Sequence, residues 1–250
     1  MINCFNAYRV LSSKAFRVTM DILSLVYGLL VSLFVFTFQN LYFEDNAGQY
    51  IDKSFMSTET LAMLLGITGL MTIIYAFSDY FLFAGTAARH TGVMNYLRTS
   101  MHGEKVLGEA VTGDFIRTVI RTFIALPCAG IVSSSIVNGR CSSKLVLMFM
   151  IVWGAMLAAI CISNLICRRF AKTMLLMIIF MYVVGVIFGI FVVSIVILTN
   201  SMTTLQFDIL PAMIVIAVFY AGMAVMFFIL SRKDVIKGYR SGFEDVVGGK

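Results

Sequence analysis

LVLMFMIVWGAMLAAICISNLIC, residues 145–167, contains no Asp, Glu, Lys or Arg. A helix of about 20 such residues crosses the roughly 30 Å hydrocarbon layer of a bilayer. Two more uncharged runs follow, TMLLMIIFMYVVGVIFGIFVVSIVIL at 173–198 and ILPAMIVIAVFYAGMAVMFFIL at 209–230. Residues 22–39 and 60–78 are nearly as clean. The region 108–136 is apolar but carries charges near its start. Across 250 residues the chain is 60% hydrophobic and 13% charged, with a mean hydropathy of +0.94. A soluble domain is about half apolar and about a quarter charged.

The sequence therefore predicts an all-α integral membrane protein with one transmembrane domain over 1–250. Its six spans are expected at about 18–40, 60–88, 108–136, 145–167, 173–198 and 209–231. The bias of Lys and Arg sets the orientation. With the N-terminus inside, the segments 1–18, 89–105, 168–172 and 232–250 hold 14 of these residues, and the outer segments hold three. Both termini are expected in the cytoplasm of a multi-pass plasma-membrane protein. The net charge of +6 then reflects topology and anionic lipid, not a nucleic-acid partner. The first apolar run is too long for a secretory h-region and no A-x-A site follows it, so no cleaved leader is expected. Of Cys4, Cys128, Cys141, Cys161 and Cys167, only Cys141 is placed outside, so no structural disulfide is expected.

Residues 1–16 are amphipathic: Phe5, Tyr8 and Leu11 recur at helical spacing. This predicts a helix lying in the inner interface. The last residues, 232–250, read as a short basic cytoplasmic tail.

Catalytic patterns are missing. The two histidines, His90 and His102, both fall in one inner loop, so neither H-E-x-x-H nor a serine–histidine pair can form inside the membrane. No G-x-x-x-x-G-K-[ST] loop is present. The chain is predicted to be no enzyme, to carry no metal and to hold no cofactor of its own.

Ionisable groups inside spans point to function. Span 3 opens with Glu109, Asp114, Arg117 and Arg121, the last three along one helix face. Asp79 in span 2 falls at a similar depth. These residues are predicted to form an inner charge network, Asp79 pairing with Arg117 or Arg121, as a gate or as groups snorkelling to headgroups. In span 5, Gly185 and Gly189 form a G-x-x-x-G spacing that permits close helix packing, within this chain or between two copies.

The loop 89–105 holds a stripe of Val93, Leu97 and Met101, with Met94 beside it. Arg98 and His102 occupy another face, and Gly103 closes the pattern. This predicts a short amphipathic helix between spans 2 and 3.

The whole arrangement resembles the ABC-2-type exporter permeases, the membrane subunits of one class of ATP-driven transporter. Members often carry G-x-x-x-x-L-x-[ST]-x-P-[ILM] after span 2, then a span opening L-G-K. Here Gly92, Leu97, Thr99, Leu107 and Gly108 follow that outline. No proline follows Thr99, and Glu109 stands where the lysine is usual. The resemblance implies a coupling helix that docks in a separate ATPase. Val93, Met94, Tyr96, Leu97 and Met101 would grip it, and Arg98, Thr99, His102 and Glu104 would orient it. It also implies two permease subunits, expected as a homodimer, and two ATPase copies that bind ATP and Mg. Exporters of antimicrobial and toxin-like peptides share this size and lack of outer domains, so an amphipathic peptide is the favoured cargo. The alternative is a non-ATP membrane protein: a secondary carrier, or an integral scaffold or immunity protein.

Overall fold

The computed structural model describes residues 4–45, 58–84, 100–138, 143–170 and 209–247, with Leu97 and a few positions between 175 and 185. Among the described residues every regular element is a helix. We label them α1 (Cys4–Leu11), α2 (Lys14–Asp45), α3 (Thr58–Asp79), α4 (Gly103–Phe123), α5 (Ala129–Asn138), α6 (Ser143–Phe170) and α7 (Ile209–Val247). A π-helical turn at Tyr80–Ala84 extends α3, and a second at Ile124–Cys128 joins α4 to α5. Five segments are long and apolar enough to cross a membrane: Lys14–Thr37, Leu64–Phe83, Gly103–Val137, Leu145–Arg169 and Ile214–Lys237. The span expected at 173–198 lies almost wholly outside the described residues.

Three boundaries differ from those the sequence predicts. The first helix is not one piece over 1–16. It stops at Leu11, and Ser13 starts α2 by accepting a hydrogen bond from the Phe16 N–H at 3.1 Å, as an N-cap does. Span 3 begins at Gly103, five residues before the expected 108. The expected tail is no separate segment, because α7 continues as one helix through Val247.

The break in α4 has a covalent cause. Pro127 lacks an N–H and its ring clashes with the preceding turn, so the helix opens into a π turn there. Gly28 of α2 lies against this turn, where a Cβ would overlap the Ala125 backbone. Several hydroxyl side chains in the spans bond back to the preceding turn, which satisfies them without water. Ser24 does so to the Met20 carbonyl at 2.7 Å, and Thr122 to the Thr118 carbonyl at 2.8 Å.

α6 forms the centre. Phe149, Val152, Met156 and Ile160 pack into one core with Val35 and Phe36 of α2 and Leu64 and Leu65 of α3. The other face of α6 carries α7. Gly154 faces Ala217 and Tyr220, Arg168 reaches Ser231, and Arg169 reaches Asp234. The near-constant offset between these pairs means that α6 and α7 run parallel. α4 runs antiparallel to both: Gly108 faces Arg232, and the Phe115 and Phe228 rings stack at 4.1 Å. The start of α2, the end of α3, the start of α4 and the ends of α6 and α7 thus meet at one end of the bundle.

Candidate functional site: a charged end of the bundle

α1 closes this end. Tyr8 is fully buried against α4 with Ala7, while Phe5 stays exposed. The helix therefore packs on protein and does not simply rest on the interface. Gly113 makes this possible, since a Cβ there would overlap the Cys4 carbonyl. Burial pushes the Tyr8 hydroxyl up to about 12, with the charge of Asp114 acting the same way. That hydroxyl is buried close to Asp114, Ser12 and Arg121.

The predicted pairing of Asp79 with Arg117 or Arg121 is not what forms. Arg117 and Arg121 both bind Asp21 of α2. Arg121 Nε lies 2.5 Å from Asp21 Oδ1, and its Nη2 donates to the Arg17 carbonyl at 3.1 Å. The reason is geometric. α2 and α4 run parallel at this end, so the i, i+4 arginines straddle the acid of α2, while Asp79 sits on α3.

Asp79 instead binds Arg168 of α6. Arg168 Nε donates to Asp79 Oδ2 at 2.8 Å, and Nη2 donates to Oδ1. Nη1 donates to Ser231 Oγ of α7 at 2.9 Å. The guanidinium also lies 4.9 Å from the Phe83 ring centroid. In the sequence Arg168 reads as the first residue of an inner loop. In the structure it is a buried cross-link of three helices, because α6 continues past it to Phe170. Glu109 sits 3.9 Å from Arg232 of α7, at the rim.

Asp114 is 8% exposed and forms no salt bridge among the described residues. It lines a cavity of about 20 Å³ between α4, α6 and α7, together with Thr118, Asn164, Arg168 and Ser231. The Asn164 Oδ1 atom is buried without a hydrogen-bond partner. No group of three or more His, Cys, Asp or Glu that could hold a metal occurs among the described residues. Cys4, Cys128, Cys161 and Cys167 form no disulfide among the described residues, and Cys141 lies outside them.

The predicted docking stripe divides. Leu97 is 3% exposed and packs with Ala7, Phe83, Leu107 and Val235, so it belongs to the core and is no outward knob. Met101 is 97% exposed. His102 is exposed at the N-terminus of α4 and makes no side-chain cap. Glu104 lies in the first turn of α4, where its charge suits the helix dipole. Val93, Met94, Tyr96, Arg98 and Thr99 lie outside the described residues. So does Gly189; a Cβ at Gly185 meets nothing within 4 Å among the described residues.

Five apolar helices tied together at one charged end are the make-up of a multi-pass membrane protein. Comparison with family models, with curated proteins and with solved structures gives no match.

Proposed function

We propose that the chain is the transmembrane subunit of an ATP-driven exporter, worked from the cytoplasm by a separate ATPase at the 89–105 loop. The observation that carries this reading is mechanical. The exposed Met101 and His102 immediately precede α4, and that helix carries Arg117 and Arg121, which grip α2 through Asp21. A push on the loop end has a stiff path to the charged contacts. The Lys and Arg bias supports placing this end, and both termini, in the cytoplasm of a plasma-membrane protein. The parallel run of α6 and α7 supports a sixth crossing. The chain leaves α6 at the charged end and enters α7 at the other.

The working unit under this reading is a homodimer with two ATPase copies that bind ATP and Mg. The cargo is an amphipathic or lipophilic molecule, a peptide first. The test is purification of the full chain from its native membranes with assay of co-purifying ATPase activity. The reading expects an associated ATPase that Met101→Asp with His102→Asp sheds. A preparation whose associated ATPase is unchanged by the double substitution would contradict it.

A second reading, a secondary carrier, is favoured by two observations. Span 4 carries a buried arginine that lines a polar cavity, and span 3 is interrupted at Pro127. Broken helices and intramembrane charges are carrier features. Cargo movement in proteoliposomes holding this chain alone, without ATP, would select it.

A further inference from the structure

We propose that the cavity around Asp114 binds one Na⁺ ion. A carboxyl withdrawn from water either keeps a proton or needs a counter-charge. Arg168 lines the same cavity, but its Nε and Nη2 are held by Asp79 and its Nη1 by Ser231. Arg121, two turns along α4, is held by Asp21 and the Arg17 carbonyl. The Tyr8 hydroxyl, which bears on Asp114 from α1, stays neutral because burial holds it up to about 12. Asp114 is therefore the one anion at this cavity without a bonded cation among the described residues.

The remaining groups suit a hard monovalent ion. Asn164 brings a buried carbonyl oxygen that no donor satisfies. Thr118 and Ser231 bring hydroxyl oxygens to the same wall. A volume of about 20 Å³ holds one water-sized particle, too little for an organic cation. One carboxylate with neutral oxygens matches a single charge; a divalent ion collects more carboxylates. The ion would tie α4 to α6 and α7 and complete the charge balance of the bundle. This inference stands apart from the exporter reading and holds for either mode of transport.

The test uses the full chain in detergent, titrated with NaCl against choline chloride at equal ionic strength. Trp153, the single tryptophan, sits on α6 beside this region and reports by fluorescence; thermal unfolding is followed in parallel. Wild type should show a saturable Na⁺ response and a raised Tm, both absent in choline. Asp114→Asn should lose the response. Asn164→Leu, which keeps side-chain volume, should weaken it about tenfold or more. Equal responses to Na⁺ and choline in wild type would overturn the proposal and leave a water-filled cavity. An unchanged Na⁺ response in Asn164→Leu would overturn it too, even if Asp114→Asn fails to fold.

Discussion

Arg168 of α6 and Asp79 of α3 form a two-pronged ion pair whose side chains are 4% and 1% exposed. Removing one partner leaves a charge buried between the helices. Asp79→Asn or Arg168→Met should therefore cost about 3–5 kcal/mol of stability, read as a lower unfolding midpoint in detergent. The double variant Asp79→Leu with Arg168→Met should fall closer to wild type than either single change, because it strands neither charge. A double variant as unstable as the sum of the singles would show that the pair is not the unit.

The two arginines on Asp21 should differ. The Arg117 side chain is 25% exposed and that of Arg121 is 6% exposed. Water can replace the partner of the first far better than that of the second. Arg117→Gln should cost about 1 kcal/mol or less, as partly exposed pairs do. Arg121→Gln should cost about 2–3 kcal/mol, since it also gives up the bond to the Arg17 carbonyl. Chemical denaturation of the two variants side by side checks the order.

Glycines sort by what surrounds them. Gly28→Val should drive α2 off the π turn and cost about 1–3 kcal/mol by overpacking. Gly66→Ala, where a Cβ meets nothing within 4 Å among the described residues, should be neutral or should stabilise by about 0.5–1 kcal/mol through helix propensity. The difference in Tm between these two variants is the measurement.

Trp153 Nε1 donates to Thr122 Oγ1 at 3.0 Å, tying α6 to α4 above the charged end. Thr122→Val should remove this bond, cost about 1 kcal/mol and change the emission of the single tryptophan. Emission spectra of both forms check it.

Much of the fold was legible because hydrophobic length is a one-dimensional signal. The run 145–167 marks its helix without any partner, and so do the segments that became α2, α3 and α7. Ion pairing was not legible, because it depends on which helices are neighbours and which run parallel. Asp79 and Arg121 lie at similar depth, yet α3 borders α6 at this end, so Asp79 met Arg168 instead. Arg168 itself hid in a basic cluster that reads as a loop, while Asp21 stood out as the lone acid of its span and was a usable clue. The stripe Val93, Leu97, Met101 was visible as periodicity, but periodicity gives no sign of which face turns inward. Leu97 turned inward, against Ala7 and Leu107. Tyr8 was visible only as part of the apolar stripe of residues 1–16, and Asn164 carried no sequence signal, since the weight of both comes from buried oxygens.

The contrast between Leu97 and Met101 gives the most direct test of the account, which holds that a separate ATPase acts on the exposed start of α4. A photo-crosslinking residue is placed at 101 or at 97 in the full chain, in native membranes. The account predicts that position 101 couples to an ATP-binding polypeptide, with a yield that changes when ATP is added, and that position 97 couples only within the chain. Adducts from position 101 that contain only lipid or this same chain, with or without ATP, would contradict it.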